Sequence, residues 1–204
     1  MRTPLPSPRA ACLLLALALA APAHAERADR DKPTQIVADR FVGDDLKQTV
    51  VYSGNVTLTR GTLRITGERM ELREDPERYR HAVVTAAPGK LASFRQRRDA
   101  ATPGVEEYVE GYAERIEYDE RAETVKFINR AQWRRLENEQ PRDELTGNLI
   151  VYDSRNSKYW AEGAADPAQG DGRVRTIIAP RSEAPPAAPP ANLKPAPAAP
   201  APAK

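Results

Sequence analysis

Few residues in this chain could carry chemistry, and their spacing is unusual. Asp39, Glu68 and Glu114 each follow a small residue, in Ala38-Asp39, Gly67-Glu68 and Ala113-Glu114. Two facing carboxylates could cleave a glycosidic bond by acid–base catalysis. The pattern recurs once per repeat of the chain, however, with Gly147-Asn148 as an amide version, and a catalytic pair has no reason to repeat. A bend explains it better: the acid accepts backbone N–H bonds and the small residue eases a bulge or corner. His81 is the only histidine beyond residue 25 and Cys12 the only cysteine. A Cys/His metal centre, a disulfide framework, a cysteine nucleophile and a Ser-His-Asp triad all lack their parts. The expectation is no enzyme, no metal and no cofactor. Arg95, Arg97 and Arg98 beside Phe94, and Arg134 and Arg135 after Trp133, could meet the phosphates of an amphipathic ligand or belong to solvated loops.

The elements that must position these residues are strands. Apolar residues alternate with polar ones in Val56-x-Leu58, Leu63-x-Ile65, Met70-x-Leu72, Ile116-x-Tyr118, Val125-x-Phe127, Ala131-x-Trp133 and Ile150-x-Tyr152. Period two with one apolar face marks antiparallel sheet. Polar breaks at 44–48, 74–78, 119–123 and 153–157 mark turns. Only residues 138–144 suggest a short helix. Each repeat begins at a small-acid pair and reaches a large apolar residue three positions on: Phe41, Met70, Ile116, Ile150. Unequal intervals argue against a solenoid and for hairpins stacked into one folded sheet.

The chain has 204 residues, with 31 Lys+Arg against 29 Asp+Glu. Residues 1–25 read as a cleaved secretory signal: Arg2 and Arg9, then an apolar run from Ala10 to Ala21 too short to span a bilayer, then Ala23-His24-Ala25. Without them the charge is neutral, 29 against 29, which disfavours nucleic acid as a partner. In residues 184–204, 17 of 21 are Ala or Pro, so this tail reads as disordered or extended. Between them lies a single domain, 26–183, of about 35% apolar residues, lean for a solid core. Either the domain is a narrow sandwich, or its apolar interior is partly unfilled and takes a guest.

One motif set narrows this. Ile36-Val37-Ala38-Asp39, then Val51-Tyr52-Ser53-Gly54-Asn55-Val56-Thr57-Leu58, then Gly61-Thr62-Leu63-Arg64-Ile65 and Gly67-Glu68-Arg69-Met70, resembles the OstA-like domain family. So do Pro88–Phe94 and Val109–Tyr118, and the likeness covers about residues 33–180. The resemblance implies an all-β fold, a twisted open β jelly roll of antiparallel strands. Its apolar interior would hold the acyl chains of lipopolysaccharide, the lipid A moiety. It also implies end-to-end stacking of domains, a head-to-tail oligomer crossing the periplasm from LptC of the inner-membrane transporter to LptD at the outer membrane. Ile36, Phe94 and Tyr118 take the family's lipid-facing positions. Periodicity adds Leu58, Ile65, Met70, Leu72, Ile116, Ile150 and Tyr152 to the groove interior. Ile36 and Phe41 would face opposite sides unless a bulge lies between them. The alternative function is a β-stacking module that carries no lipid.

Overall fold

The computed structural model describes residues 29–100, 104–164 and 172–180. The expected signal (1–25) and the Ala/Pro tail (184–204) lie outside the described residues. After a 3-10 turn at Asp29–Asp31 the chain forms twelve strands: β1 (Thr34–Val37), β2 (Arg40–Asp44), β3 (Thr49–Arg60), β4 (Leu63–Glu74), β5 (Arg80–Thr85), β6 (Ala92–Arg98), β7 (Glu107–Ala113), β8 (Arg115–Asp119), β9 (Thr124–Glu137), β10 (Gln140–Asp153), β11 (Lys158–Glu162) and β12 (Arg175–Ile178). Every pairing between them is antiparallel, within one continuous sheet.

That sheet is folded in two. The long strands β3, β4, β9 and β10 each serve both halves. In the first half the order is β2, the start of β3, the end of β4, β5, β8, the start of β9, the end of β10, β11. In the second it is β1, the end of β3, the start of β4, β6, β7, the end of β9, the start of β10, β12. Register shifts between Ser53 and Val56 in β3, and between Gly147 and Leu149 in β10, mark where these strands turn the corner. Such bulges bend a strand and increase its twist.

The corners form one spine, and the small-acid pairs of the sequence lie on it. Gly54 and Asn55 turn β3 with φ of 78° and 48°, and Asn129 and Arg130 turn β9 with 62° and 49°. Gly54 is needed there twice over: its φ is left-handed, and a Cβ would sit 2.3 Å from Asp39 Oδ2. Neighbouring corners are joined through Asp39 N–H to Gly54 O (3.0 Å), Ala86 N–H to Glu114 O (2.9 Å) and Glu114 N–H to Asn129 O (3.0 Å). The acids themselves accept from side chains rather than from backbone N–H groups: Asp39 from Asn55 (2.9 Å) and Glu114 from Arg130 (2.7 Å). The corner at Ala38-Asp39 also resolves the parity of β1 and β2. Ile36 and Phe41 fall on different halves, and both lie on inward-facing rungs.

Residues 138–144 are not helical. Asn138 and Glu139 have φ of 50° and 65° and close the β9–β10 hairpin as a two-residue turn, whose left-handed pair matches strand twist. The arginines of 95–98 and 134–135 lie on β6 and β9, not in loops.

Candidate lipid-binding interior

Two ladders of inward-facing residues meet between the half-sheets. Across the second half, register pairs run Ile36–Leu58–Ile65–Phe94–Gly111–Trp133–Leu145. Across the first they run Phe41–Tyr52–Met70–Val84–Ile116–Phe127–Ile150–Ala161. A further rung of the first half runs Val50–Leu72–Ala82–Tyr118–Val125–Tyr152–Tyr159. The ten residues expected in the interior therefore occupy three rungs: Ile36, Leu58, Ile65 and Phe94 on one, Met70, Ile116 and Ile150 on the next, Leu72, Tyr118 and Tyr152 on the third. Leu58, Ile65, Met70, Phe94, Ile116, Ile150 and Tyr152 are buried; Ile36, Leu72 and Tyr118 are half-buried.

The interior is closed by its own side chains, as in the narrow sandwich of the two readings of the composition and not the partly unfilled roll. Leu63, Ile65, Met70, Val84, Ile116 and Phe127 have no accessible surface at all. The Phe127 ring crosses from the first half to the second, meets Phe94 edge-on at 5.8 Å, and covers Gly111, where a Cβ would sit 2.0 Å from its Cε1. Trp133 lies against Tyr152 at 6.3 Å and stacks on Tyr159 at 4.3 Å. Its indole Nε1 is buried without a hydrogen-bond acceptor. Phe127, Trp133, Val84 and Gly111 were absent from the expected interior. Alternation in Val125-x-Phe127 and Ala131-x-Trp133 held the signal for two of them. Nothing in one sequence marks Gly111 as the seat of a ring from the opposite half.

Opposite the spine lies a mouth, where the free strand ends of the two halves face each other and polar groups bridge them. Arg60, last residue of β3 and continuing the inward parity of Val56 and Leu58, is 7% exposed. Its guanidinium donates to Glu120 in the β8–β9 turn and to the Tyr118 hydroxyl. Arg80 donates to Thr34 Oγ1 at 3.1 Å. Asp29 is buried beneath the β3–β4 turn and accepts from Thr62 N–H (2.8 Å), Thr62 Oγ1 (2.5 Å) and Gln96 Nε2 (3.3 Å). Its neighbour Arg30 pairs with Glu123 on the other half, so the 3-10 turn straps the mouth. Burial raises the Tyr118 phenol above its ordinary value, with the Arg60 charge opposing; at neutral pH it is a neutral donor and acceptor inside the lip. A cleft of about 590 Å³ opens here, reaching Gln96, Tyr118 and Val125 of the inner face.

This geometry, two apolar ladders hinged at a spine and latched by ion pairs, can be compared with known proteins. The family model described as LptA/(LptD N-terminal domain) LPS transport protein matches residues 35–158. The chain belongs to this family. Its relatives include the lipopolysaccharide export system protein LptA of Haemophilus influenzae, 27% identical over 78% of this chain and 83% of the relative, and that of Escherichia coli K12, 26% identical over 80% of each. Lipopolysaccharide export system protein LptH of Pseudomonas aeruginosa is 28% identical over 85% of this chain and 91% of its own length. The crystal structure of LptH, the LptA homologous periplasmic component of the lipopolysaccharide transport device of Pseudomonas aeruginosa, superposes with a TM-score of 0.63 at 24% identity. It covers 74% of this chain and 99% of that one. The LptA/LptD N-terminal fold, an antiparallel β jelly roll, is thus the fold of this chain.

Proposed function

We propose that this LptA-family chain is a periplasmic carrier of lipopolysaccharide, taking lipid A acyl chains between its two inward ladders. The observation that carries the reading is the pair of continuous apolar ladders, hinged at the spine and held at the mouth by polar bridges alone. Saturated chains laid along them replace side chain–side chain contacts with chain–side chain contacts of the same kind, at little net cost in buried area. Because the interior is closed, loading requires the halves to part at the mouth, breaking the bridges of Arg60, Arg80 and Arg30. Arg30 is half exposed, so its pair with Glu123 is individually weak; the largely buried Arg60–Glu120 pair is the part of the latch that costs most to open.

Stacking is the second part of the proposal. Both ends of the folded sheet expose strands bearing uncovered apolar side chains: Val37, Phe41 and Val42 on β1 and β2, Tyr159, Trp160, Ile177 and Ile178 on β11 and β12. Free edges ordinarily invite aggregation; used by a second copy, LptC or LptD they become strand-addition sites. The filled interior is the feature that favours the rival reading, a stacking module without cargo.

Trp133 separates the two. In a Trp160→Phe variant it is the remaining tryptophan, since the chain has two. Lipid A with brominated acyl chains should quench most of its emission, because bromine quenches at contact and Trp133 is 1% exposed. Unchanged emission at saturating lipid would favour the cargo-free module.

A further inference from the structure

We infer that the 3-10 turn at Asp29–Asp31 is a switch with one fixed end and one releasable end, and that it makes opening of the mouth respond to ionic strength. Asp29 is the fixed end. It is 3% exposed, and the bonds its carboxylate accepts come from the second half: Thr62 N–H at 2.8 Å, Thr62 Oγ1 at 2.5 Å and Gln96 Nε2 at 3.3 Å. Thr62 Oγ1 is itself held by the Arg97 N–H of β6 at 3.2 Å. The β3–β4 turn is shaped around this side chain: a Cβ on Gly61 would sit 2.0 Å from Asp29 Oδ1. Withdrawing Asp29 would strip all three donors of their acceptor.

Arg30 is the releasable end. Its side chain is 49% exposed and meets Oε2 of Glu123, in the β8–β9 turn of the first half. The other oxygen of that carboxylate is already taken. Glu123 Oε1 accepts from Arg155 Nε at 3.1 Å and from a terminal nitrogen of Arg155 at 2.9 Å, and Arg155 lies in the β10–β11 turn of the same half. When the halves part, Glu123 therefore keeps a cationic partner and Arg30 passes to water. No charge is stranded, and a stranded charge is what makes breaking an ion pair expensive. The turn thus rides on the second half, and its grip on the first is an exposed pair that salt screens. Arg60–Glu120 crosses the same mouth but is largely buried, so salt weakens it much less. Opening of this kind needs no cargo and is independent of the carrier reading.

Two buried alanines report on the switch. Ala82 on β5 and Ala92 on β6 have no accessible surface; Ala82 lies on the apolar rung nearest the mouth, and Ala92 begins β6 at the spine. The test is the rate at which N-ethylmaleimide labels Ala82→Cys or Ala92→Cys protein without lipid. Arg30→Gln should speed labelling at position 82 about threefold, the worth of an exposed ion pair, and leave position 92 unchanged. Asp29→Ala, which frees the fixed end, should do at least as much, and Arg30→Gln added to it should change nothing further, because the two ends act as one. Raising salt from about 50 to about 500 mM should speed position 82 in the native background and have much less effect with Arg30→Gln. An unchanged rate at position 82 with Arg30→Gln would overturn the switch. So would equal acceleration of both thiols, the mark of a turn that only adds to global stability. Arg30 is half exposed, so its variant decides the matter even if Asp29→Ala fails to fold.

Discussion

Bridging the two halves at the mouth, with Arg60→Cys and Glu120→Cys joined by a short bismaleimide, should abolish uptake of lipopolysaccharide while leaving the fold intact. The side chains of Arg60 and Glu120 already touch across the mouth, so the linker asks for little rearrangement. The chain's one native cysteine, Cys12, lies in the expected signal, so the pair would be modified selectively after cleavage. The spine then becomes a hinge that cannot open, and the closed interior stays closed. A tether between Glu117→Cys and Lys126→Cys is the control, since these are register partners on β8 and β9 within one half. It should leave uptake within about twofold of untethered protein. Uptake measured by native electrophoresis with labelled lipopolysaccharide decides the matter; equal loading in both tethered forms would mean that lipid does not enter between the halves.

Gly111→Val is the second change with a large expected effect. The added side chain must occupy the space of the Phe127 ring, which lies within 2.0 Å of where the Cβ would begin. Strand β7 is held between β6 and β9 and cannot retreat, so Phe127 must leave its contact with Phe94. Overpacking typically costs about 1–3 kcal/mol, and the upper end or beyond is expected where the collision is this deep. Phe127→Ala alone should cost about 3–5 kcal/mol as a cavity. Together the two should cost clearly less than their sum, by about 1–3 kcal/mol of coupling, because the valine fills the space that the ring vacates. Urea unfolding of the four proteins measures this; strict additivity would mean that Phe127 does not seat on Gly111.

The strands were legible because a half-buried sheet writes its pattern at period two, and Leu58, Ile65, Met70, Ile116 and Ile150 all fall on inward rungs. Corners were legible in part, since the small-acid pairs at Asp39 and Glu114 fall at the breaks between β1 and β2 and between β7 and β8. What Asp39 and Glu114 hold was not, because their partners Asn55 and Arg130 come from the next corner, 16 residues away in each case. Arg60 was passed over for the same reason. In the sequence it sits in a tight turn beside Gly61, and only the fold carries it to Glu120, 60 residues on. The lean composition left a narrow sandwich and an unfilled roll both open, and Phe127, Trp133 and Phe94 decide it by filling the space: a few large rings close an interior that a count of apolar residues makes look thin. Asn138-Glu139 shows the converse limit. A short helix was expected over 138–144, and two left-handed residues close a hairpin there instead.

Photo-crosslinking in living cells tests the central claim most directly. A photoreactive side chain placed in turn at Ile65, Phe94, Ile116 and Phe127 samples both inward ladders, and the same group at Arg64, Glu117 and Lys126 samples the outer faces of three of these strands, β4, β8 and β9. Lipopolysaccharide adducts from the inward set, with few or none from the outward set, are the predicted result. Adducts equally abundant from the outer faces, or inward positions that capture protein neighbours alone, would contradict a carrier that loads lipid between its half-sheets.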